Sequence, residues 1–141
     1  MQKDMSETAP ATDGRIRLVV VGAHLSGMPL NHELAGLGAV LLRADTTAPV
    51  YRLFALAEGK PGLLRVAAGG AAIAVELWTL DAAGFGRFVN AIPAPLSIGK
   101  VQLSDSSSES GFLVEHAAIA GARDITSFGG WREFRRTLQI A

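Results

Sequence analysis

The chain has 141 residues, the length of one domain with a single hydrophobic core. Its 13 Lys and Arg residues balance 13 Asp and Glu residues, so no net charge attracts a polyanion or an anionic lipid surface. We therefore expect neither nucleic acid nor a membrane as a partner. The absence of Cys excludes disulfides, thiolate metal sites and cysteine nucleophiles.

The start of the chain is polar and lacks the apolar segment of a secretory signal. We predict a disordered arm over residues 1–14 and one folded domain over residues 15–141. No apolar run approaches the roughly 20 residues that cross a bilayer. The expected location is cytoplasmic.

The first predicted elements are a strand, a helix and two further strands. Residues 15–21 (RIRLVVV) are rich in β-branched side chains, which predicts a buried strand. The loop AHLSGMP then leads to residues 30–37, where leucines recur at helical spacing. Residues 39–44 and 51–57 read as strands joined by a turn-rich connection, and they could pair as a hairpin.

The second half of the chain adds more strands and two helices. We predict strands at 63–67, 71–80, 101–103 and 111–114, and helices after the N-cap Asp81 and over 127–138. The last helix places Trp131, Phe134 and Leu138 on one apolar face. The element order predicts an α+β domain with a curled or barrel-like sheet.

Four segments of this sequence resemble the C-terminal domain of allophanate hydrolase. They are VVGAHLSGMPLNHEL, AAIAVELWTL, FGRFVNAIPAPLSIG and GARDITSFGGWR, and they are spread over residues 20–132. The resemblance implies a γ-glutamylcyclotransferase-like fold, a small mixed β-barrel with flanking short helices. In that fold the first strand runs into a glycine-containing substrate loop, here residues 22–27.

The same resemblance implies an activity in urea and allophanate degradation. In allophanate hydrolase an amidase domain releases ammonia from allophanate, and the C-terminal domain is implicated in decarboxylating the N-carboxyurea, a carbamate, left behind. We expect only the second activity here, after a separate amidase, because the chain lacks a glycine- and serine-rich amidase signature with its lysine. Cyclotransferase chemistry is disfavoured, since no carboxylate follows Asp81 in the helix where those enzymes place a catalytic Glu.

His24 is the predicted catalytic residue. It lies where a loop leaves a strand and enters a helix, so free backbone N–H groups and the positive helix end should favour an anion there. An imidazole that titrates near neutrality can protonate the nitrogen that departs from carbon dioxide. The alternative is a loop histidine that hydrogen-bonds only its own turn.

Neighbouring polar and glycine positions are predicted to bind the substrate. Ser26 and Asn31 offer donors and acceptors for a urea-like amide, although capping explains Ser26 equally well. The whole predicted loop set is Gly22, Ala23, Leu25, Ser26, Gly27 and Asn31.

Two charged strand residues complete the predicted site. Arg52 can hold a carboxylate by a two-pronged contact, or lie on the surface. Glu76 stands in an apolar strand and must be paired, protonated or at an open end. Pairing with Arg52 or Arg43 is one interpretation, and a carboxyl with a raised pKa that acts as acid or base is the other.

No metal or cofactor is predicted. The three histidines lack metal-ligand spacing, and GxGxxG and Walker patterns are missing. We expect a small-molecule substrate. Two alternatives stay open: a non-catalytic module that binds an amidase or forms a homodimer through exposed Met28, Trp131 and Phe134, and a cyclotransferase-like enzyme acting on a γ-glutamyl compound with Glu76 as base.

Overall fold

The structure is a computed structural model that describes residues 14–140. The predicted disordered arm therefore lies outside the described residues, except for Gly14. The described chain forms strands β1 Arg15–Val20, β2 Val40–Thr46, β3 Tyr51–Ala55, β4 Pro61–Arg65, β5 Ala74–Asp81, β6 Leu96–Gln102, β7 Ser108–Val114 and β8 Arg123–Asp124, and helices α1 Asn31–Ala35, α2 Ala82–Asn90 and α3 Trp131–Ile140. None of these helices is both long and apolar enough to cross a bilayer.

The strands form two sheets, which confirms the α+β class. The larger sheet has the order β2-β5-β1-β7-β6, and the smaller one has the order β4-β3-β8. Strands β1 and β7 run parallel, whereas the other paired strands run antiparallel. The sheet is therefore mixed, as expected for a γ-glutamylcyclotransferase-like fold.

The larger sheet curls towards a barrel but does not close. Its two edge strands, β2 and β6, approach each other just beyond their ends through an isolated bridge between Thr47 and Leu103. Two further backbone bonds flank this bridge, from Ser104 N–H to the Thr46 carbonyl and from Ala48 N–H to the Gln102 carbonyl. The expected curled or barrel-like sheet is thus present as an open, curled sheet, and a smaller second sheet accompanies it.

The predicted hairpin between β2 and β3 is wrong. Strand β2 pairs with β5, whereas β3 pairs with β4 and β8 in the other sheet. The connection between β2 and β3 is held by other parts of the chain: Thr47 N–H donates to the Ile73 carbonyl and Ala48 N–H to that of Gln102. These long-range bonds fix the path of the chain from the larger sheet to the smaller one. The turn-rich connection therefore does not bring β3 back beside β2.

Two local predictions are confirmed. Strands β6 and β7 form an antiparallel hairpin around the serine-rich loop, although β7 already begins at Ser108. Helix α2 begins after Asp81, whose Oδ1 accepts a hydrogen bond from Gly84 N–H at 2.6 Å. This N-cap fixes the direction in which α2 leaves β5.

The terminal helix begins later than predicted. A 3₁₀ turn over Thr126–Phe128 ends at Gly129, whose left-handed backbone (φ 83°) separates it from α3. The predicted exposure of Trp131 and Phe134 is wrong, because both are buried in the core with 3% and 5% of their surface accessible. Leu138 departs from the predicted apolar face and is 46% exposed. An assembly surface built on Trp131 and Phe134 is therefore excluded, and Met28 is half-buried against the core.

Candidate functional site

The loop after β1 is tightly folded and fixes the position of His24. Leu25 N–H donates to the Gly22 carbonyl at 2.9 Å, and Leu30 N–H donates to the Ala23 carbonyl at 2.8 Å. The Asn31 side-chain amide donates to the His24 carbonyl at 2.8 Å. These bonds turn the chain back on itself and bring α1 beside the loop.

The His24 ring packs between two phenylalanines and meets a carboxylate. It stacks on Phe112 with ring centroids 5.4 Å apart and meets the edge of Phe88 at 4.9 Å. Its Nε2 lies 2.8 Å from Oε1 of Glu33 in α1. Within the described residues, Nδ1 has no hydrogen-bond partner. Glu33 therefore holds one ring nitrogen and leaves the other without a hydrogen bond among the described residues.

A cavity of about 620 Å³ opens beside His24. Its walls come from the loop after β1, from helices α1 and α2, from the start of β4, from the start of β6 and from the second half of β7. Most of the lining side chains are apolar. The titratable ones are His24, His32, Glu33, Lys60 and Arg87. The cavity has the size of a small-molecule site, with few polar groups on apolar walls.

Two cations at this cavity have no side-chain partner within the part of the chain that the structure describes. Neither Lys60 nor Arg87 makes an ion pair or side-chain hydrogen bond with any residue between 14 and 140. Both lie close to the loop, since Pro61, next to Lys60, abuts Gly22, and Phe88, next to Arg87, contacts His24. Unpaired cations beside an apolar cavity are suited to bind a carboxylate.

The structure separates the predicted site residues. Gly22, Ala23 and His24 line the cavity. Leu25 and Glu76 instead line a second cavity of about 260 Å³ between β5 and α3. The remaining predicted residues, Ser26, Gly27, Asn31 and Arg52, line neither of these two cavities.

Glu76 belongs to a network that holds the loop from behind. Its carboxylate accepts hydrogen bonds from Ser26 N–H at 2.8 Å, from the Ser26 hydroxyl at 2.6 Å and from the Trp78 indole at 3.1 Å. Arg132 of α3 adds an ion pair at 3.4 Å and donates to the Ser26 carbonyl at 2.6 Å. The prediction that Glu76 pairs with Arg52 or Arg43 is wrong, because its partner is Arg132 in α3.

The charge of Glu76 is stabilised by these donors. Burial alone would raise the pKa of this carboxyl, but the bonds from Ser26 and Trp78 and the charge of Arg132 hold the pKa below its usual value. The alternative of a raised pKa is therefore wrong. Glu76 is an ionised anchor for the loop.

Arg52 lies away from the cavity. Its Nε donates to Oδ2 of Asp124 at 2.6 Å, and its guanidinium also donates to the Gly69 carbonyl. This ion pair joins β3 to β8 within the smaller sheet. Of the two interpretations of Arg52, the one that places it in the substrate site is wrong, because Asp124 holds the guanidinium at the partly exposed surface of the smaller sheet.

Several backbone N–H groups around His24 are already engaged within the protein. The N–H groups of Leu25, Ser26, Met28 and Leu30 all donate to protein acceptors. Helix α1 has five residues rather than the eight predicted over 30–37, which weakens its dipole. These four N–H groups are therefore not available to an anion at this cavity.

Sequence reasoning missed Glu33, Lys60, Arg87 and the two phenylalanines that contact His24. Glu33 follows His24 by nine residues, and only the folded loop brings its carboxylate to the ring. Phe88 lies in the helix predicted after Asp81, but the sequence does not indicate which side chain it contacts. Lys60 sits in a turn motif, GKPG, that carries no signal for binding.

Gly22 is required by close packing at the cavity wall. A Cβ on Gly22 would overlap Cγ of Pro61. We expect Gly22→Ala to lower the free energy of unfolding by about 1–3 kcal/mol, because the added methyl overpacks a buried site. Gly86→Ala is the matched control: its Cβ would meet nothing within 4 Å inside α2, so a gain of about 0.5–1 kcal/mol is expected. Urea unfolding measures both, and equal effects would contradict the close-packing explanation.

Fold and site together define an α+β domain in which a histidine-bearing loop forms part of the wall of an open cavity. The model of the allophanate hydrolase C-terminal domain matches residues 16–136. The chain belongs to this family.

Relatives support the assignment with different extents of overlap. Urea amidolyase of Saccharomyces cerevisiae is 37% identical over 131 residues, which is 88% of this chain and 7% of the relative. The structure of Kluyveromyces lactis allophanate hydrolase is 35% identical with a TM-score of 0.85 and covers 92% of this chain and 22% of its own. A uropathogenic E. coli-specific protein is 36% identical with a TM-score of 0.81 over 86% of this chain and 95% of its own. The chain thus spans about 7% of the length of the yeast enzyme.

Proposed function

We propose that this domain decarboxylates the carbamate that an amidase forms from allophanate. The observation that carries the proposal is the His24 imidazole, paired with Glu33 at 2.8 Å, on the wall of a cavity that also holds two unpaired cations. Membership in the allophanate hydrolase C-terminal domain family supports the substrate class.

The atom balance of the amidase reaction determines which carbamate is the substrate of this domain. Hydrolysis of the amide of allophanate releases ammonia and leaves a carboxylate in its place. The product is N-carboxycarbamate, a nitrogen that carries two carboxylates. N-carboxyurea is allophanate itself, so the substrate expected from the sequence is corrected to N-carboxycarbamate.

His24 supplies the proton that the reaction consumes. The bond between nitrogen and one carboxyl carbon breaks, the electron pair goes to nitrogen, and carbon dioxide leaves. Nδ1 of the imidazolium protonates this nitrogen, while Nε2–H continues to donate to Glu33. The products are carbamate and carbon dioxide, and His24 regains its proton from water.

The walls of the cavity favour the loss of charge in this step. The departing carboxylate becomes neutral carbon dioxide, so apolar rings such as Phe88 and Phe112 disfavour the charged ground state more than the transition state. The carboxylate that stays can pair with Lys60 or Arg87. The carboxylate that stays is therefore held by a cation, and the carboxylate that departs lies against apolar side chains.

The test is the release of carbon dioxide from N-carboxycarbamate formed in place by an amidase that lacks this domain. The rate is compared with and without the protein at several protein concentrations. A rate that rises in proportion to the concentration supports the proposal. Equal rates with and without protein contradict it.

Glu33 contributes less to the reaction rate than His24, and its contribution can be measured separately. Glu33→Gln keeps a hydrogen-bond acceptor for Nε2–H but removes the negative charge that stabilises the imidazolium. Because Glu33 is 48% exposed, solvent screens this charge, and we expect the rate of carbon dioxide release to fall by about 3–10-fold. Glu115→Gln, on an exposed residue outside the cavity, is the control. An unchanged rate in Glu33→Gln would remove this role.

A second candidate function is assembly with an amidase or with another copy. Strand β2 lies at the edge of the larger sheet and exposes Val40, Leu41 and Leu42 by 41–53%. Exposed apolar edge strands are typical pairing surfaces. Under this alternative the cavity is not used, and replacing His24 has no effect on carbon dioxide release.

The cyclotransferase alternative has little support at the cavity. Among the described lining residues, the one carboxylate is Glu33, which is bound to His24. Glu76, the suggested base, lines the second cavity and is engaged by Ser26, Trp78 and Arg132. A base for that reaction would have to be Glu33.

A further inference from the structure

The cavity beside His24 is much larger than the dianion of the proposed reaction. Its volume is about 620 Å³. A dry cavity of about 150 Å³ is enough to bind benzene, and N-carboxycarbamate is of similar size. Most of the cavity is therefore not needed for this dianion.

One face of α2 shows how charge is distributed along the cavity. Arg87 and Phe88 line it from the last part of α2, and Ala91 and Ile92 line it from the turn that follows the end of the helix at Asn90. Phe88 contacts the His24 ring, so the turn that carries Arg87 lies next to the histidine. The following turn, with Ala91 and Ile92, carries no charge.

The wall beyond α2 is also apolar. Pro93, Leu96 and Leu113 line it, and they lie at the end of α2 and on the paired strands β6 and β7. The charged lining groups belong instead to α1, to Arg87 and to the loop around Lys60 that abuts Gly22. The cavity thus has a charged end at His24 and an apolar end along Ala91, Ile92 and Leu96.

We infer that this cavity binds carboxylates that carry an apolar chain, namely alkyl or aryl carboxylic acids and N-substituted carbamates. The acid group lies at Lys60 and Arg87 beside His24, and the chain extends along Ala91, Ile92 and Leu96. The inference rests on the proposed function for the place of the acid group and extends it to a broader ligand class. Charge orients the ligand, and burial of the chain supplies affinity.

The test measures the affinity of the protein for straight-chain carboxylates from acetate to octanoate by calorimetric titration. We expect the dissociation constant to fall by about 2–4-fold for each added methylene, because a buried methylene contributes about 0.8 kcal/mol. The n-alcohols of equal length should bind more weakly at every length, since they cannot pair with the cations.

Two variants with matched controls locate the ligand. Ala91→Phe fills the apolar end and should abolish the dependence on chain length without changing the binding of acetate. Ala83→Phe places the same ring on an exposed position of α2 outside the cavity and should leave all affinities unchanged. Arg87→Gln should weaken every carboxylate by a similar factor of about 3–10, whereas Arg65→Gln on the exposed face of β4 should not.

Some outcomes overturn the inference. An affinity that does not depend on chain length, or a dependence that persists in Ala91→Phe, shows that the chain does not enter this cavity. Carbon dioxide release from N-carboxycarbamate is measured on the same samples. If the protein releases carbon dioxide but does not bind octanoate, this inference is wrong and the proposed function stands. If the protein binds octanoate but does not release carbon dioxide, the proposed function is wrong and the binding of carboxylates with an apolar chain stands.

Discussion

Replacing His24 with Gln is expected to lower the rate of carbon dioxide release from N-carboxycarbamate by about 10²–10⁴-fold, the usual contribution of a positioned general acid. Glutamine keeps a polar side chain that can donate to Glu33, but its amide does not exchange a proton near neutral pH. The measurement is the initial rate at saturating amidase, so that formation of the substrate is not limiting.

His116→Gln is the matched control for this substitution. His116 is exposed in the 3₁₀ turn His116–Ile119 and lies outside the cavity, so its replacement should leave the rate within experimental error. Unfolding curves of both variants show whether a lost rate reflects lost folding. A folded His24→Gln protein with an undiminished rate would refute the role of the imidazole and favour assembly.

The sequence predicts those parts of the fold that local signals determine. The Asp81 cap, the β6–β7 hairpin and the order of most elements follow from residues close together in the chain. The pairing of β2 did not follow, because its partner β5 lies about thirty residues later and the turn-rich connection resembles that of a hairpin. Strand pairing across such separations depends on the packed sheet rather than on any turn.

The sequence likewise predicts only those parts of the candidate site that a local motif determines. The loop motif indicated His24, and the structure places this ring at a cavity. The residues that define its chemistry come from elsewhere: Glu33 from α1, Phe88 from α2 and Phe112 from β7. Charged residues were the hardest to place: the sequence suggested Arg52 or Arg43 as the partner of Glu76, whereas the packing of α3 brings Arg132 to this carboxylate.

The largest expected effect on stability is that of Glu76→Ala. The side chain is 7% exposed and accepts bonds from Ser26, Trp78 and Arg132. Its removal leaves the Ser26 N–H and the Trp78 indole without acceptors, and each unsatisfied buried donor costs about 1–3 kcal/mol. We expect the free energy of unfolding to fall by about 2–5 kcal/mol, a large share of the 5–15 kcal/mol typical of a domain.

The pH dependence of stability separates the charge of Glu76 from its packing. The pKa of this carboxyl is lower in the folded chain than its ordinary value of 4.5, so the ionised form favours folding. Its contribution is complete above pH 4.5 and is lost as the pH falls through the lower folded pKa. Glu76→Gln has the same size and no charge, so its difference in unfolding free energy from the wild type should be constant above this range and shrink below it.

Urea unfolding followed by far-UV circular dichroism measures these differences at several pH values. The other carboxylates with lowered pKa values, Asp45, Asp105 and Asp124, titrate in both proteins and cancel in the comparison. Glu115→Gln, on an exposed side chain without a hydrogen bond, should differ from the wild type by less than about 0.5 kcal/mol. If the difference for Glu76→Gln does not change with pH, the carboxylate does not anchor the loop by its charge.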